Sequence, residues 1–162
     1  LGSSRMAKAH VAKDLPTAEE IAVIRDEITA ALKQEGYPRV GGPLFAMGGT
    51  AKASLKLYRR ALRKEGGAIP LREMEGMLRA LAAEPEESLE LLADLAPGRE
   101  RTLAPGMATL IGAADYLGCE TIAVFDAGVR DGFLESLLKE GPPPAGDILS
   151  SILGAIGKTD LE

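Results

Sequence analysis

An α/β fold that is mainly helical, with about two parallel strands, is what the sequence predicts, and three observations carry the prediction. Apolar residues recur at helical spacing along most of the chain, as in Ile21, Ile24, Ile28 and Leu32. Only two short runs, residues 44–47 and 121–125, are apolar at consecutive positions, the pattern of strands covered on both faces. Helical segments separate those runs, and strands joined through helices run parallel. Two strands alone make a poor sheet, so the rest of it is expected outside this chain.

Residues 1–15 show no period and read as an irregular or extended entry. Thr17 and Glu20 have capping-box spacing, and the helix they open runs to Gly36. Pro38, Gly41, Gly42 and Pro43 make a loop that delivers the first strand. Gly48-Gly49-Thr50 then turns the chain into a second helix expected over 50–65, ended by Gly66-Gly67. Pro70 starts a third helix, with Leu71, Met74, Leu78 and Leu81 on one side. Pro85 opens a fourth, carrying Leu89, Leu92 and Leu95 and ended by Pro97-Gly98. Leu103, Met107, Leu110, Ile111, Ala114 and Leu117 mark a fifth, whose Gly106, Ala108, Gly112 and Ala113 allow close packing, and Gly118 stops it before the second strand. Residues 126–132 turn into a helix bearing Val129, Phe133, Leu134, Leu137 and Leu138, and the prolines at 142–144 break it. Asp147 can cap a last amphipathic piece, with Ile148, Leu149, Ile152, Leu153 and Ile156 on one face. That piece is expected to pack on its own domain or on a second subunit, so a homodimer is anticipated.

A composition of 46% hydrophobic and 27% charged residues over 162 positions is that of a globular domain. The net charge of -5 and the 4% of aromatic residues argue against a nucleic-acid partner. No run has the length of a membrane span, and the single Cys119 cannot form an internal disulfide, so a cytoplasmic location is expected. The chain begins on Leu1 without an initiator Met, which suggests a fragment. His10 is the only histidine and sits in the least patterned segment, which excludes the usual hydroxyl or thiol nucleophile arrangements. No Cys/His spacing or calcium-loop pattern points to a metal. Asp126, at the end of the second strand, is placed like the nucleophile of haloacid-dehalogenase phosphatases, but Ala127 stands where their second Asp belongs. It reads as a helix-start residue.

The candidate ligand site is the strand-to-helix turn. Free N–H groups and the positive end of the helix dipole at Gly48, Gly49 and Thr50 would face an anion, and glycine lets it approach the backbone. Along the helix that follows, Lys52, Lys56, Arg59 and Arg63 form a basic stripe in an acidic chain, read either as a solvated face or as a track for an extended polyanion.

Taken in order, Met47-Gly48-Gly49-Thr50-Ala51 before a helix, Arg99 seven residues before Gly106, and residues 126–134 (Asp-Ala-Gly-Val-Arg-Asp-Gly-Phe-Leu) resemble the C-terminal part of the Ppx/GppA exopolyphosphatase family. Residues 1–6 are similar to the segment after the first strands of that family's second domain. The resemblance covers residues 1–140 and leaves 141–162 as a Pro-rich hinge and tail. It implies an actin-like (ribonuclease H-like, ASKHA) fold and a parent enzyme that releases terminal phosphate from inorganic polyphosphate or guanosine pentaphosphate, usually with Mg²⁺. Gly48, Gly49, Thr50 and Lys52 would face the substrate, joined by Arg130 from the family's Gly-x-Arg-Glu-Gly signature, in which this chain carries Asp131. Glu100-Arg101 likewise replaces a common Ala-Asp. The glycine-rich phosphate loops and the glutamate base of the family are absent, so no catalytic or metal-ligating residue is expected here and the chain alone should be inactive. A non-enzymatic regulatory or dimerisation module is the other reading.

Overall fold

The structure, a computed structural model, describes residues 2–125, so the expected helix after the second strand, the amphipathic tail and Arg130 lie outside the described residues. The entry segment contains a helix, α1 (Ser3–His10), where an irregular stretch was expected. One buried side chain, Met6, anchors it, and His10 meets the Glu27 carboxylate of the next helix. A single apolar anchor leaves no period to read. The second helix, α2 (Ala18–Gln34), starts at the predicted capping box: Glu20 N–H donates to Thr17 Oγ1 at 3.2 Å, and Thr17 N–H donates to Glu20 Oε2 at 2.8 Å. It buries Ile21, Ile24 and Ile28.

The first strand, β1 (Pro43–Ala46), leads through Gly48 into α3 (Gly49–Leu62). A short strand, β2 (Ala68–Pro70), precedes α4 (Leu71–Ala83) and α5 (Pro85–Leu95), and α6 (Leu103–Leu117) leads into β3 (Thr121–Val124). The order across the sheet is β1-β3-β2. As expected, β1 and β3 are parallel, with Leu44 opposite Ile122. The sequence did not show β2, which pairs antiparallel on the other side of β3 with Ile69 opposite Ile122. Three residues ending in Pro70 carry no strand period, and the proline reads as a helix start. The row Leu44, Ile122 and Ile69 packs inward, and the two isoleucines are fully buried. Phe45 and Phe125 are 62% and 50% exposed and meet edge to face at 5.4 Å, so the expectation of strands covered on both faces holds for one face only among the described residues.

Helices α1, α2, α3 and α4 all pack on α6, α2 most extensively. The small residues of α6 permit this. A Cβ added at Gly112 would come within 3.1 Å of Arg25 Cα and 3.2 Å of Arg25 O, so the α2 backbone lies directly on the glycine. Arg25 then joins α2 to α4 through Glu75 at 3.2 Å and to α6 through Asp115. Gly118, at φ 76°, closes α6 in the left-handed conformation. The first turn of α6 lies beside α3, where a Cβ on Gly106 would reach 2.5 Å from Thr50 Cγ2 and 2.9 Å from Ser3 Cβ. The strand-to-helix turn thereby sits at the junction of α1, α3 and α6.

Candidate functional site

Gly48 is the N-cap of α3, with φ 91° and ψ −175°, a conformation essentially reserved for glycine. Its carbonyl accepts the first intrahelical bond from Lys52 N–H at 3.1 Å. The N–H groups of Gly49, Thr50 and Ala51 precede that bond, and among the described residues no side chain caps the helix. These donors and the helix dipole favour a negative charge. The Thr50 side chain faces Gly106 and Ser3, so it locks α3 to α6 and leaves its backbone N–H at the turn.

Arg99 completes the turn. Its guanidinium occupies the space that a Cβ on Gly49 would fill, against both terminal nitrogens and Cζ. A cation therefore rests on the helix start, where the dipole itself is positive. Two like-signed elements in contact repel, and an anion between them would relieve the repulsion. Among the described residues no carboxylate forms an ion pair with Arg99. The loop that presents it is tightly wound: Arg99 N–H donates to Ala96 O at 3.0 Å, and Leu103 N–H donates to Arg99 O at 2.9 Å. Gly98 N–H donates to Glu100 Oε1 at 2.8 Å. The Glu100 carboxyl is held below its ordinary range by its own backbone N–H first, then by that of Gly98, with the charge of Arg101 adding to them. Glu100 thus shapes the loop that carries Arg99.

The stripe on α3 differs from its predicted composition. The helix ends at Leu62, and Arg63 is a left-handed C-cap at φ 50° that no longer continues the helical face. Arg60 takes its place. Lys52, Lys56, Arg59 and Arg60 line one pocket with Leu55, Gly67 and Val124. Of the residues assigned from sequence, the structure brings together Gly48, Gly49, Thr50 and Lys52 along the first turn of α3. Arg99 was visible in the sequence only through its spacing from Gly106, and nothing there placed it against Gly49. Among the described residues no cluster of three or more His, Cys, Asp or Glu could hold a metal, and no helix is long and apolar enough to cross a membrane.

The sequence profile of the Ppx/GppA phosphatase family matches residues 1–140. The chain belongs to the Ppx/GppA phosphatase family. Its fold is similar to that of an Aquifex aeolicus Ppx/GppA family member, at 18% identity and a TM-score of 0.70, over 88% of this chain and 48% of that one. An exopolyphosphatase from Cytophaga hutchinsonii matches at 13% identity and a TM-score of 0.69, over 88% of this chain and 49% of that one. The chain therefore spans about half the length of these structures. No match to a curated protein reaches significance. With these Ppx/GppA structures the chain shares an actin-like domain, here represented by its helices and a three-stranded piece of sheet.

Proposed function

We propose that this Ppx/GppA chain is one wall of the substrate cleft of a phosphoanhydride hydrolase, whose parent releases terminal phosphate from inorganic polyphosphate or guanosine pentaphosphate. The observation that carries the reading is the placement of the Arg99 guanidinium on Gly49 at the uncapped start of α3. The planar guanidinium and the backbone N–H groups of Gly49, Thr50 and Ala51 supply directed donors to phosphate oxygens. They orient the substrate and offset charge that builds on the phosphoryl group during its transfer. Arg130 is proposed as a further cation at this cleft, and Lys52 as the first one down the helix. Attack by water and its activation belong to residues outside this chain. Mg²⁺, which would neutralise phosphate charge, has no fitting donor set among the described residues, so no step is assigned to it here. A homodimer and a cytoplasmic location are part of the same proposal.

Phosphate release from polyphosphate with Mg²⁺, measured for the isolated chain and for the full-length parent, tests this reading. The isolated chain should match a heat-killed control while the parent turns over. Arg99→Ala in the parent should lower kcat about 100-fold, the usual cost of one preorganised charged donor to a transition state. Turnover by the isolated chain, or an unaffected Arg99→Ala parent, would overturn it.

A further inference from the structure

A second pocket opens between α3, α4 and α5, and it shares no lining residue with the Gly49–Arg99 turn or with the basic pocket. It measures about 650 Å³, and the buried side chains of Leu57, Met77 and Leu81 line it. Leu62 and Leu91 line it too and are 40% and 36% exposed, so the apolar surface is open to solvent. Size and lining are those of a small-molecule site rather than of a packing void. Gly76 keeps it open. Glycine inside a helix is disfavoured against alanine, and a close backbone neighbour can require it, as α2 does at Gly112. At Gly76 nothing lies within 4 Å of an added Cβ, so packing among the described residues does not call for a glycine there. Because Gly76 lines the pocket, a larger side chain at this position would take up the space of a ligand.

The polar groups select the charge of the occupant. Glu73, Glu84 and Glu87 line the pocket against one guanidinium, that of the exposed Arg72, and among the described residues none of the three carboxylates forms an ion pair. Oε2 of Glu73 is buried without a hydrogen-bond partner among the described residues. The buried Tyr58 hydroxyl faces the same carboxylate, and burial first, then hydrogen bonding to Glu73 and its charge, hold that hydroxyl above its ordinary value. Tyr58 therefore stays a neutral donor, and one side of the carboxylate is supplied while the other is not. A buried carboxylate oxygen left unpaired is unfavourable, and an ammonium group would satisfy it with a charge-assisted bond. Glu84, just past the end of α4, and Glu87, in the first turn of α5, lie toward the other end of the pocket. From Glu73 to Glu84 the helix rises roughly 16 Å. Apolar surface between two acidic ends matches an aliphatic chain with a cation at each end. We infer that the pocket binds a long aliphatic diamine, with one ammonium on Glu73, the methylene chain along Leu57, Met77 and Leu81, and the other ammonium at Glu84 and Glu87.

Calorimetric titration of the 162-residue chain with the terminal diamine of decane, the terminal diamine of butane and the terminal diol of decane tests this. The butane diamine reaches at most about 8 Å along its bonds and cannot touch both ends. The decane diamine should bind at least about tenfold more tightly than the butane diamine, which lacks the reach, and than the diol, which lacks the charge. Glu73→Gln should weaken the decane diamine about tenfold and leave the diol within about twofold of its wild-type affinity. Gly76→Leu places a good helix former in α4 while filling the pocket, and it should abolish binding of the decane diamine. Glu35→Gln, the same charge change at the exposed end of α2, should leave its affinity within about twofold. Circular dichroism checks that each variant folds, and the comparison of diamine with diol on the wild type decides without any variant. A wild-type chain that binds no decane diamine, or binds the diol equally well, would overturn the inference. So would equal losses in Glu73→Gln and Glu35→Gln, or a folded Gly76→Leu chain of full affinity.

Discussion

Gly49 matters for the atom it lacks. The three atoms nearest to a β-carbon there all belong to the end of the flexible Arg99 side chain, so Gly49→Ala should evict the guanidinium and leave the backbone in place. Alanine is also the better helix former by about 0.8 kcal/mol. The expected result is an unchanged or slightly raised Tm together with a loss of tripolyphosphate affinity matching that of Arg99→Ala, about tenfold for one charge-assisted contact. Since both substitutions remove the same interaction, the double variant should bind no worse than Arg99→Ala alone. A Gly49→Ala protein with full affinity would detach Arg99 from the site. Gly48 behaves differently: at φ 91° and ψ −175° an alanine is strained by about 1–3 kcal/mol, and the turn itself should loosen. The glycine pair was legible in the sequence as a strand-to-helix turn. Its cation was not, because Arg99 arrives from a separate loop and local spacing carries no information about that meeting.

Among the elements, those with a repeated signal were legible and those with a single anchor were not. The capping box and four spaced apolar residues announce α2, and Gly118 announces the end of α6. Helix α1 has Met6 alone, and β2 has three residues, too few for either period. The end of α3 was misplaced for a physical reason: Arg63 occupies a left-handed position at φ 50°, ψ 40° where glycine is the usual residue, so the sequence points to Gly66 instead. Arg63→Gly should relieve this strain and stabilise the chain by about 1 kcal/mol. In a thermal melt that is a rise of about 2–4 °C for a domain of this size. An unchanged or lower Tm would mean that the unfolded-state entropy of glycine outweighs the relieved strain. The loop before α6 adds a pH dependence. Because the folded Glu100 carboxyl lies below its ordinary value, its contribution is present above the carboxylate range and is lost as pH falls through that depressed value. Anion affinity measured from neutral to acid pH should therefore fall less in Glu100→Gln than in wild type, since the amide loses nothing on acidification.

At the scale of the whole molecule, α6 is the element that α1, α2, α3 and α4 share, and its glycines decide how near α1, α2 and α3 come. The sequence showed that α6 could pack closely. Which helix used which glycine depended on crossings that no single helix records. Gly112 and Gly76 make this testable, because both lie within helices and differ only in what surrounds them. At Gly112 a new methyl group would press on the backbone of α2 at Arg25, which cannot rotate away as a side chain can. Moving α2 would also disturb the Arg25 pairs with Glu75 and Asp115. Gly112→Ala should therefore destabilise by about 1–3 kcal/mol, the cost of overpacking a close contact. At Gly76, on α4, nothing lies within 4 Å of the added carbon, so Gly76→Ala gains the helix propensity of alanine and should stabilise by about 0.5–1 kcal/mol. Urea unfolding of the two variants gives opposite signs if the packing on α6 is as described. A stable Gly112→Ala chain would show that α2 can retreat from α6 at little cost, and the junction that holds the Gly49–Arg99 turn would then rest on α1 and α3 alone.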